Sequence, residues 1–460
     1  MFTLLPNSLI SLAKILPKPL YIVGGAVRDH LIGFENEKPD WDICSPMLAE
    51  DFANIATAQG FTVNAVYRNT GTVKLRDQVN NEFEFSSFRS DEYVRGIHTP
   101  ANVFFTDDIS LDARRRDFTC NAVYYDVATQ TYVDPLDGIS AIKEKRLTTV
   151  APAKKVFGED GLRLMRLARQ AAQLGFSPDC ECLLGARENA ALIDDISPER
   201  IYAELLSILA ADEKHGLVGG AYRGLKLLDE IDVFERIFPE LALGKGMAQR
   251  ADFHKYDVLE HSLRAVKYAP PQMRLAALLH DVGKPFCMQR DGKYHEHPIE
   301  GERLARNVLT RLKAPKKTVE RICALVKWHM YDLDCKTSEN KLRRFLVTNY
   351  NLLEDLLLLK QADFSACMDE MRDASTCVRW KNLLEKMQKE NVPFTLKQLD
   401  VNGNDLLTLG IQPNQVASFL HALLMHVACN PKDNEKARLL RLAVGMEKGL
   451  KAKMPPTVSK

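Results

Sequence analysis

The sequence lacks the features that would place the chain in a membrane, in a disulfide framework or among strongly basic nucleic-acid-binding proteins. Its 460 residues contain no run of about 18 uncharged apolar residues, so no membrane span is expected. Ten cysteines are scattered without the paired spacing of a zinc site, and we expect them to be reduced thiols. The net charge is only +1, so any contact with nucleic acid must come from local basic clusters.

The N-terminal residues 1–20 are mildly apolar, but they carry no basic leader and no small-residue cleavage site. This pattern predicts an amphipathic helix and not a secretory signal. Together with the unpaired cysteines, it predicts a cytoplasmic protein without a membrane partner. The candidate basic clusters are Arg114 to Arg116, Arg163 to Arg169 and the tail from Lys448 to Lys460.

The spacing of apolar residues divides the chain into a mixed part and a helical part. Up to about residue 150, short segments of strand-like composition lie between turns. These segments are YIVGG, DWDIC, TVKLR, EFEFSSF, NAVYYD and TYVDP. From Glu159 the apolar residues recur at helical spacing, with Gly175 as the expected end of the first helix. The fold class is therefore α+β, and the length predicts about three units.

Two aspartates one residue apart, Asp40 and Asp42, lie in a predicted strand. Residues i and i+2 of a strand point to the same face, so two carboxylates aim at one place. Like charges at close range raise the pKa of one of them unless a cation is present. Mg²⁺ takes hard oxygen ligands and usually shares them with substrate phosphates. The pair predicts a Mg²⁺ site, although alone it also fits an ordinary acidic surface.

A double glycine precedes the aspartates. Gly24 and Gly25 follow a strand and open a helix, and Arg28 lies one turn further on. Amides at a helix N-terminus bind phosphate, and glycine lets a ligand approach the backbone. Alone, the double glycine also fits a plain tight turn. Followed so soon by two aspartates, it favours a nucleotide site.

Six motifs, in this order, resemble those of the bacterial class II tRNA nucleotidyltransferases, the CCA-adding enzymes of the polymerase-β superfamily. The motifs are GGAVRD (24–29), DWD (40–42), RRRDFTCNAV (114–123), DPLDG (134–138), EDGLRLMRLAR (159–169) and PERIYAEL (198–205). The resemblance implies a nucleotidyltransferase head, with a small mixed sheet and helices, followed by all-α neck, body and tail regions. It also implies that tRNA, CTP and ATP are the partners.

The resemblance implies a reaction for the glycine turn and the aspartates. A metal ion on Asp40 and Asp42 activates the 3′-hydroxyl of tRNA, which attacks the α-phosphorus of CTP or ATP. Gly25, Arg28 and Arg116 hold the departing pyrophosphate. No covalent enzyme intermediate is needed, because positioning and charge stabilisation suffice for phosphoryl chemistry.

The resemblance also implies roles for the first helix of the second part. Asp160 and Arg163 read the Watson–Crick edge of the incoming base without a template strand. Arg166 and Arg169 hold nucleotide phosphate or RNA backbone. Gly161 is a departure from the family pattern, which commonly has proline there.

A second group of histidines and aspartates lies in the C-terminal half, around the motif AALLHDVGKP. Histidine and carboxylate ligands of this kind can complete a metal shell from several helices. The group resembles the HD phosphohydrolase domain that certain bacterial CCA-adding enzymes carry. The implied ligands of a divalent metal, whose identity stays open, are His261, His280, Asp281, His297, His329 and Asp363. Such a site activates water against a phosphoester on the RNA end, such as a 2′,3′-cyclic phosphate or a phosphomonoester.

The expected domain division has four parts. They are a nucleotidyltransferase head at 1–147, a helical neck and body for base recognition at 148–245, an HD domain at 246–370 and a tRNA-binding helical tail at 371–460. Three alternatives stay open from the sequence. They are a poly(A) polymerase, an enzyme that adds only CC or only A, and an HD phosphohydrolase whose nucleotidyltransferase half is an inactive RNA-binding module.

Overall fold

The computed structural model describes residues 5–34, 39–93 and 101–451. The chain divides into two compact units. The first unit comprises Met1–Met247 with Arg306–Lys316, and the second comprises Ala248–Ala305 with Lys317–Lys460. Within the described ranges, no helix combines the length and the apolar composition that crossing a membrane needs.

All strands of the described residues lie in the first unit. They are β1 (Tyr21–Val23), β2 (Trp41–Ser45), β3 (Thr62–Tyr67), β4 (Thr72–Arg76), β5 (Glu82–Ser87), β6 (Arg89–Glu92), β7 (Asn102–Phe105), β8 (Tyr124–Asp126), β9 (Thr131–Val133), β10 (Arg146–Leu147) and β11 (Ser177–Pro178). Every segment that the sequence predicted as a strand contains one of them, so these predictions are confirmed. The sequence did not predict β3, β6, β7, β10 or β11.

A mixed sheet of seven strands forms the head, in the order β3-β4-β5-β2-β1-β8-β9. Strands β2 and β5 are parallel, and the other neighbours are antiparallel. The register of the parallel pair places Asp42 beside Glu84. Two small pairs, β6–β7 and β10–β11, lie outside this sheet. The predicted α+β class with a small mixed sheet is confirmed.

Alternation along β5 fixes the face of the sheet that packs inward. Phe83 and Phe85 are buried, whereas Glu82 and Glu84 are exposed. The Phe85 ring stacks on Phe52, with centroids 3.7 Å apart. Burial of each phenylalanine side chain contributes roughly 1.5–3 kcal/mol. This packing holds the strand that carries Glu84 in register with the strand that carries Asp42.

Thirteen α-helices lie within the described residues of Met1–Met247. They are α1 (Asn7–Ile15), α2 (Gly25–Leu31), α3 (Ala49–Ala58), α4 (Ile109–Arg114), α5 (Gly138–Lys143), α6 (Ala153–Glu159), α7 (Leu162–Leu174), α8 (Cys180–Glu188), α9 (Pro198–Leu209), α10 (Ala211–His215), α11 (Gly220–Glu230), α12 (Phe234–Ile237) and α13 (Pro239–Ala242). The predicted N-terminal helix is present as α1.

The predicted helix that starts at Glu159 is wrong at its beginning. The chain instead forms α6, breaks at Asp160 and resumes as α7. Asp160 has φ −147°, and its side-chain Oδ1 accepts the N–H of Leu162 at 2.9 Å. Capping by this aspartate explains the break, because a side-chain acceptor replaces a missing helical partner. The helix ends at Gly175 with φ +66°, as predicted.

The remainder of the chain is helical, as expected. Its helices are α14 (Val258–Tyr268), α15 (Arg274–Leu279), α16 (Lys284–Asp291), α17 (His297–Arg311), α18 (Lys316–Trp328), α19 (Glu339–Thr348), α20 (Leu353–Met368), α21 (Ser375–Lys389), α22 (Gly403–Thr408), α23 (Pro413–Val427) and α24 (Lys436–Lys451). Asn402 is the N-cap of α22 and accepts two backbone N–H groups.

Candidate functional site

The glycine turn and Asp42 lie against each other. Gly24 has φ +82°, in the region that favours glycine. A Cβ atom at this position would lie only 2.9 Å from Oδ2 of Asp42. Any side chain here would therefore both strain the backbone and displace the carboxylate. The predicted proximity of turn and aspartate is present in the structure.

Carboxylates gather at the start of β2. Asp40 is exposed and immediately precedes the strand, and Glu84 is the register partner of Asp42. Burial raises the pKa of Asp42 to about 6, with Asp40 and Glu84 raising it further and Arg116 and Arg166 lowering it. A half-buried carboxylate with this shift lacks enough positive charge nearby. The oxygen ligands present therefore suit a hard divalent cation.

Arg116 is held beside Asp42 by a buried acid. Its Nη2 lies 3.1 Å from Oδ2 of Asp112, and its Nε donates to the hydroxyl of Tyr124 at 3.2 Å. The Asp112 side chain also accepts from Arg115 at 2.7 Å. Burial raises the pKa of Asp112, but the two guanidinium groups and the tyrosine outweigh it and bring the pKa to about 2. Arg116 is therefore a fixed positive charge.

The sequence predicted Arg28 as a phosphate ligand, but the structure places its side chain among partners within the protein. It is almost fully buried and donates to Oδ1 of Asp29, Oδ1 of Asn121 and Oε1 of Gln170 at 2.6 to 3.1 Å. These bonds fasten α2 to α7, because Gln170 belongs to α7. A contact between Arg28 and phosphate stays a prediction, and in this arrangement the guanidinium serves to position the turn.

The residues predicted to read the base lie at the break before α7. Asp160 is half-buried and caps the helix. Arg163 is buried, and its Nη1 and Nη2 donate to the carbonyl of Val156, to Glu159 and to the carbonyl of Arg115 at 2.8 to 2.9 Å. These three bonds use both terminal nitrogens but not Nε. Base reading by the pair stays a prediction.

Arg166 and Arg169 project from the following turns of α7. The Arg166 Nη2 lies 2.7 Å from Oδ2 of buried Asp117, and its charge acts on Asp42. Arg169 donates to Glu204 at 2.8 Å. The structure thus brings Arg116 and Arg166 to Asp42, whereas Arg169 is paired with α9. Phosphate or RNA binding by these arginines stays a prediction.

The predicted HD ligands converge in the second unit. We call these six residues the HD cluster: His261, His280, Asp281, His297, His329 and Asp363. The Nε2 atoms of His261 and His280 lie 3.2 Å apart, as do those of His297 and His329. Asp281 is buried, and its Oδ2 lies 2.6 Å from Nζ of Lys284 and 3.2 Å from Nε2 of His280. His295, which lies two residues before His297, is exposed and lies outside the cluster.

Backbone carbonyls fix the ring orientation of three histidines. His280, His297 and His329 each place Nδ1 2.6 to 2.7 Å from a carbonyl three residues earlier. Protonation of Nδ1 leaves Nε2 as the ligand atom. Two ligand groups result, one formed by His261, His280 and Asp363 and one by Asp281, His297 and His329. Because Asp281 also contacts the first group, the cluster can hold two divalent ions.

Several residues at these sites were missed or left aside by sequence reasoning. Lys284 lies 2.6 Å from Oδ2 of Asp281 and supplies positive charge to the cluster. Its position three residues after Asp281 on a helix start is the signal that was available. Asp112 was missed, although its spacing to Arg115 and Arg116 is that of helical ion pairs. His254 and Cys367 gave no signal, since each is isolated in the sequence.

Three family models match the chain. Residues 20–148 match the poly A polymerase head domain, residues 175–243 match a domain described as a probable RNA and SrmB-binding site of polymerase A, and residues 258–363 match the HD domain. The last match begins at the first residue of α14 and ends at Asp363, so it spans the whole HD cluster.

Solved structures share the fold. The CCA-adding enzyme of Bacillus stearothermophilus in complex with CTP superimposes with a TM-score of 0.68 at 24% identity, over 98% of this chain and all of that one (100%). A Thermotoga maritima CCA-adding enzyme complexed with tRNA gives 0.58 at 16% identity, over 95% and 94%.

Curated relatives are similar in sequence over most of their length. An A-adding tRNA nucleotidyltransferase of Deinococcus radiodurans is 32% identical over 76% of this chain and 77% of its own. A multifunctional CCA protein of Stenotrophomonas maltophilia is 33% identical over 66% of this chain and 74% of its own. With its nucleotidyltransferase head and its HD domain, the chain belongs to the tRNA nucleotidyltransferase family.

Proposed function

We propose that the protein adds and repairs the 3′-terminal CCA of tRNA, using CTP and ATP and no template. The observation that carries this proposal is the position of Asp42. Its carboxylate lies against the Gly24 turn, beside Asp40, and within the field of Arg116 and Arg166. Acidic metal ligands, a turn open to phosphate and two fixed cations are the parts that nucleotidyl transfer requires.

We infer a separate role for each of these residues in the reaction. Asp40 and Asp42 hold a divalent cation, proposed to be Mg²⁺, which when bound supplies Lewis-acid activation of the hydroxyl and charge neutralisation. Gly24 and Gly25 leave room for the triphosphate at the backbone. Arg116, oriented by Asp112 and Tyr124, stabilises the negative charge on the departing pyrophosphate. Its orientation before substrate binding lowers the reorganisation that the transition state requires.

Base selection is assigned to the break before α7. Asp160 accepts from the amino group of cytosine or adenine, and Arg163 donates through its Nε side, which its three bonds within the protein leave out of use. By analogy with base readout in nucleic acids, a bidentate contact of this kind contributes about 1–3 kcal/mol of discrimination. Arg166 and Arg169 contribute positive charge for phosphate or RNA backbone.

An addition assay tests the proposal and its rivals. Full-length protein is incubated with Mg²⁺ and tRNA lacking its 3′ end, with CTP and ATP singly and together. Ordered addition of C, C and A that then stops supports the proposal. Unlimited addition of A identifies a poly(A) polymerase, and addition of A alone to tRNA ending in CC identifies an A-adding enzyme like the Deinococcus relative. CC alone identifies a CC-adding enzyme.

The variant Asp42→Asn provides the catalytic control. We expect it to lose incorporation, because an amide cannot replace a charged metal ligand. The matched variant Asp51→Asn changes an exposed aspartate of the same head and should keep full incorporation. No incorporation by the unmodified protein in any mixture supports the binding-module alternative.

We further propose that the HD cluster hydrolyses a phosphoester on an RNA end. The cluster offers two adjacent ligand groups that share Asp281, and metal ions held in this way can activate water next to a phosphoryl oxygen. The test is hydrolysis of a 2′,3′-cyclic nucleotide and of a phosphomonoester by full-length protein with different divalent metals. Turnover that is lost in His280→Ala supports the proposal, and equal turnover in both proteins contradicts it.

We propose four functional regions: a head at 1–147, a neck and body at 148–245, an HD domain at 246–370 and a tRNA-binding tail at 371–460. The family matches at 20–148, 175–243 and 258–363 support the first three. We also propose a cytoplasmic location. All ten cysteines are free thiols, which fits a reducing compartment.

A further inference from the structure

A third group of metal-binding side chains lies next to the HD cluster. It consists of His254, His261 and Cys367, whose ligand atoms all lie within 4.8 Å of one another. The rings of His254 and His261 are perpendicular, with centroids 4.9 Å apart. Two members of this group are outside the HD cluster, and the proposed hydrolysis does not use them.

The fold builds this group from two fixed segments. His254 precedes α14, and Cys367 lies one turn after Asp363 on α20, so both project beside the cluster. The backbone N–H of Lys255 donates to the carbonyl of Cys367 at 3.0 Å, which ties the two segments together next to the two side chains. The proximity of imidazole and thiol is therefore set by backbone contacts.

Two buried ring nitrogens in the group are unsatisfied. His280, His297 and His329 each direct Nδ1 to a backbone carbonyl. In contrast, the Nδ1 atoms of His254 and His261 are buried and have no hydrogen-bond partner among the described residues. A buried polar atom without a partner is costly, because it has lost its hydrogen bonds to water. A bound ligand would remove this cost, and imidazole nitrogen is a common ligand atom for metals.

We propose that His254, His261 and Cys367 form a further metal site for a thiophilic divalent cation of the Zn²⁺ class. Two imidazoles and one thiolate are the donor set that Zn²⁺ favours, and a water molecule takes the remaining position of a tetrahedral ion. Cys367 releases its thiol proton to solvent when the ion binds, and His261 also releases its ring proton when its other nitrogen binds an ion in the HD cluster. Because His261 belongs to both groups, occupancy of this site is coupled to that of the HD cluster.

Cobalt titration of the full-length protein tests the site, because a thiolate bound to Co²⁺ gives a charge-transfer absorption that nitrogen and oxygen ligands do not give. We expect this band in the unmodified protein under anaerobic conditions. Cys367→Ser and His254→Gln should each lose the band and one equivalent of bound cobalt. The control Cys335→Ser, which changes another half-buried cysteine whose neighbours are Ser375 and Thr376, should keep both.

A second variant separates this site from the HD cluster. His329→Ala removes a cluster ligand from the group that contains neither His261 nor Cys367, and we expect it to bind less cobalt but to keep the thiolate band. The proposal is overturned if the unmodified protein gives no band at saturating cobalt, or if Cys367→Ser keeps it. The readout is independent of nucleotide addition and of hydrolysis, so it stands or fails separately from the proposed function.

Discussion

Buried Asp112 and half-buried Asp42 in the head have opposite pKa shifts, and the difference shows which of them lacks a positive partner. The pKa of Asp112 is about 2, because Arg115 and Arg116 outweigh its burial. The pKa of Asp42 is about 6, because burial and two neighbouring carboxylates outweigh the arginines. Asp112 is thus paired within the protein, whereas the positive charge near Asp42 does not offset its burial and its two carboxylate neighbours.

Replacing Asp112 by asparagine should destabilise the head and release Arg116. The pKa of Asp112 is depressed from 3.8 to about 2, so its contribution to the free energy of unfolding near pH 7 is about 2 kcal/mol. This contribution is fully present above about pH 4 and is lost as the pH falls through about 2. We expect Asp112→Asn to lower the melting temperature at pH 7 and to slow nucleotide addition.

The control for this prediction is Asp107→Asn. The side chain of Asp107 is 73% exposed, and its ion pair with Lys18 lies at the surface. Surface pairs contribute about 0–1 kcal/mol, so the melting temperature should hardly change. If Asp112→Asn melts like the unmodified protein at pH 7, the assigned role of the buried acid is wrong.

At the scale of single residues, the sequence predicts functional residues that belong to a recognisable motif and misses those that lie outside any motif. The six HD ligands were predicted as a set, and the structure brings all six together. His254 and Cys367 were missed because they are separated by more than a hundred residues and meet only in the fold. Arg28 was predicted to reach phosphate, since nothing in the sequence indicates that Asn121 and Gln170 surround it.

At the scale of elements, most of the strands that the sequence predicted contain buried residues, whereas four of the five missed strands contain none. Strand β5 alternates buried phenylalanine with exposed glutamate, whereas the residues of β3 are all exposed or half-buried. The break before α7 was also missed. A Cβ atom at Gly161 would lie 2.5 Å from the carbonyl oxygen of Leu192, a contact that no local pattern encodes.

Gly161→Ala should therefore destabilise the start of α7. Its backbone angles are helical, so the cost arises from the clash with the Leu192 carbonyl, and overpacking of this kind costs about 1–3 kcal/mol. We expect a lower melting temperature and weaker discrimination between CTP and ATP, because Asp160 and Arg163 flank the residue. Thermal denaturation and single-nucleotide addition assays measure the two effects.

The control variant changes Gly158, which lies in α6 two residues before the break at Asp160. A Cβ atom there would lie 3.5 Å from Oδ1 of Asn189, an ordinary contact. Gly158→Ala should keep or raise the melting temperature, since alanine favours a helix by up to about 1 kcal/mol. Equal behaviour of the two variants would contradict the packing argument.

The end of α18 is a second element with an unusual partner. Lys360 is buried, and its ammonium donates to the carbonyls of His329 and Tyr331 at 2.6 and 2.7 Å. Carbonyls beyond a helix C-terminus have no helical N–H donors, and a cation there is also favoured by the helix dipole. Burial lowers the pKa of Lys360 to about 8. Lys360 therefore fixes the turn that presents His329.

Lys360→Met should loosen this turn while keeping the side-chain volume. Two carbonyls lose their donor, and each unsatisfied group costs about 1–3 kcal/mol. We expect a lower melting temperature and weaker divalent metal binding by the group of Asp281, His297 and His329. Metal titration by calorimetry measures the second effect. Lys381→Met, an exposed position on α21, should change neither, and unchanged metal binding in Lys360→Met would contradict the assigned role.

At the scale of the whole molecule, the two sets of chemical groups belong to different compact units. The glycine turn, the aspartates and the arginines lie in the first unit, and all six HD ligands lie in the second. Substitutions at sites without shared partners usually have independent effects, within about 0.5 kcal/mol. The two activities should therefore be separable by single substitutions in the full-length chain.

Asp42→Asn should lower the rate of nucleotide addition by more than about 100-fold. Changing a residue that only supports a metal ligand lowers activity by up to about 100-fold, and the loss of a ligand itself should exceed this. Its phosphoester hydrolysis should stay within about twofold of the unmodified protein, the limit that independent sites set. His280→Ala should show the reverse. Both variants are compared at equal protein concentration after circular dichroism confirms folding. If a folded His280→Ala variant loses addition together with hydrolysis, the two units act as one catalytic system.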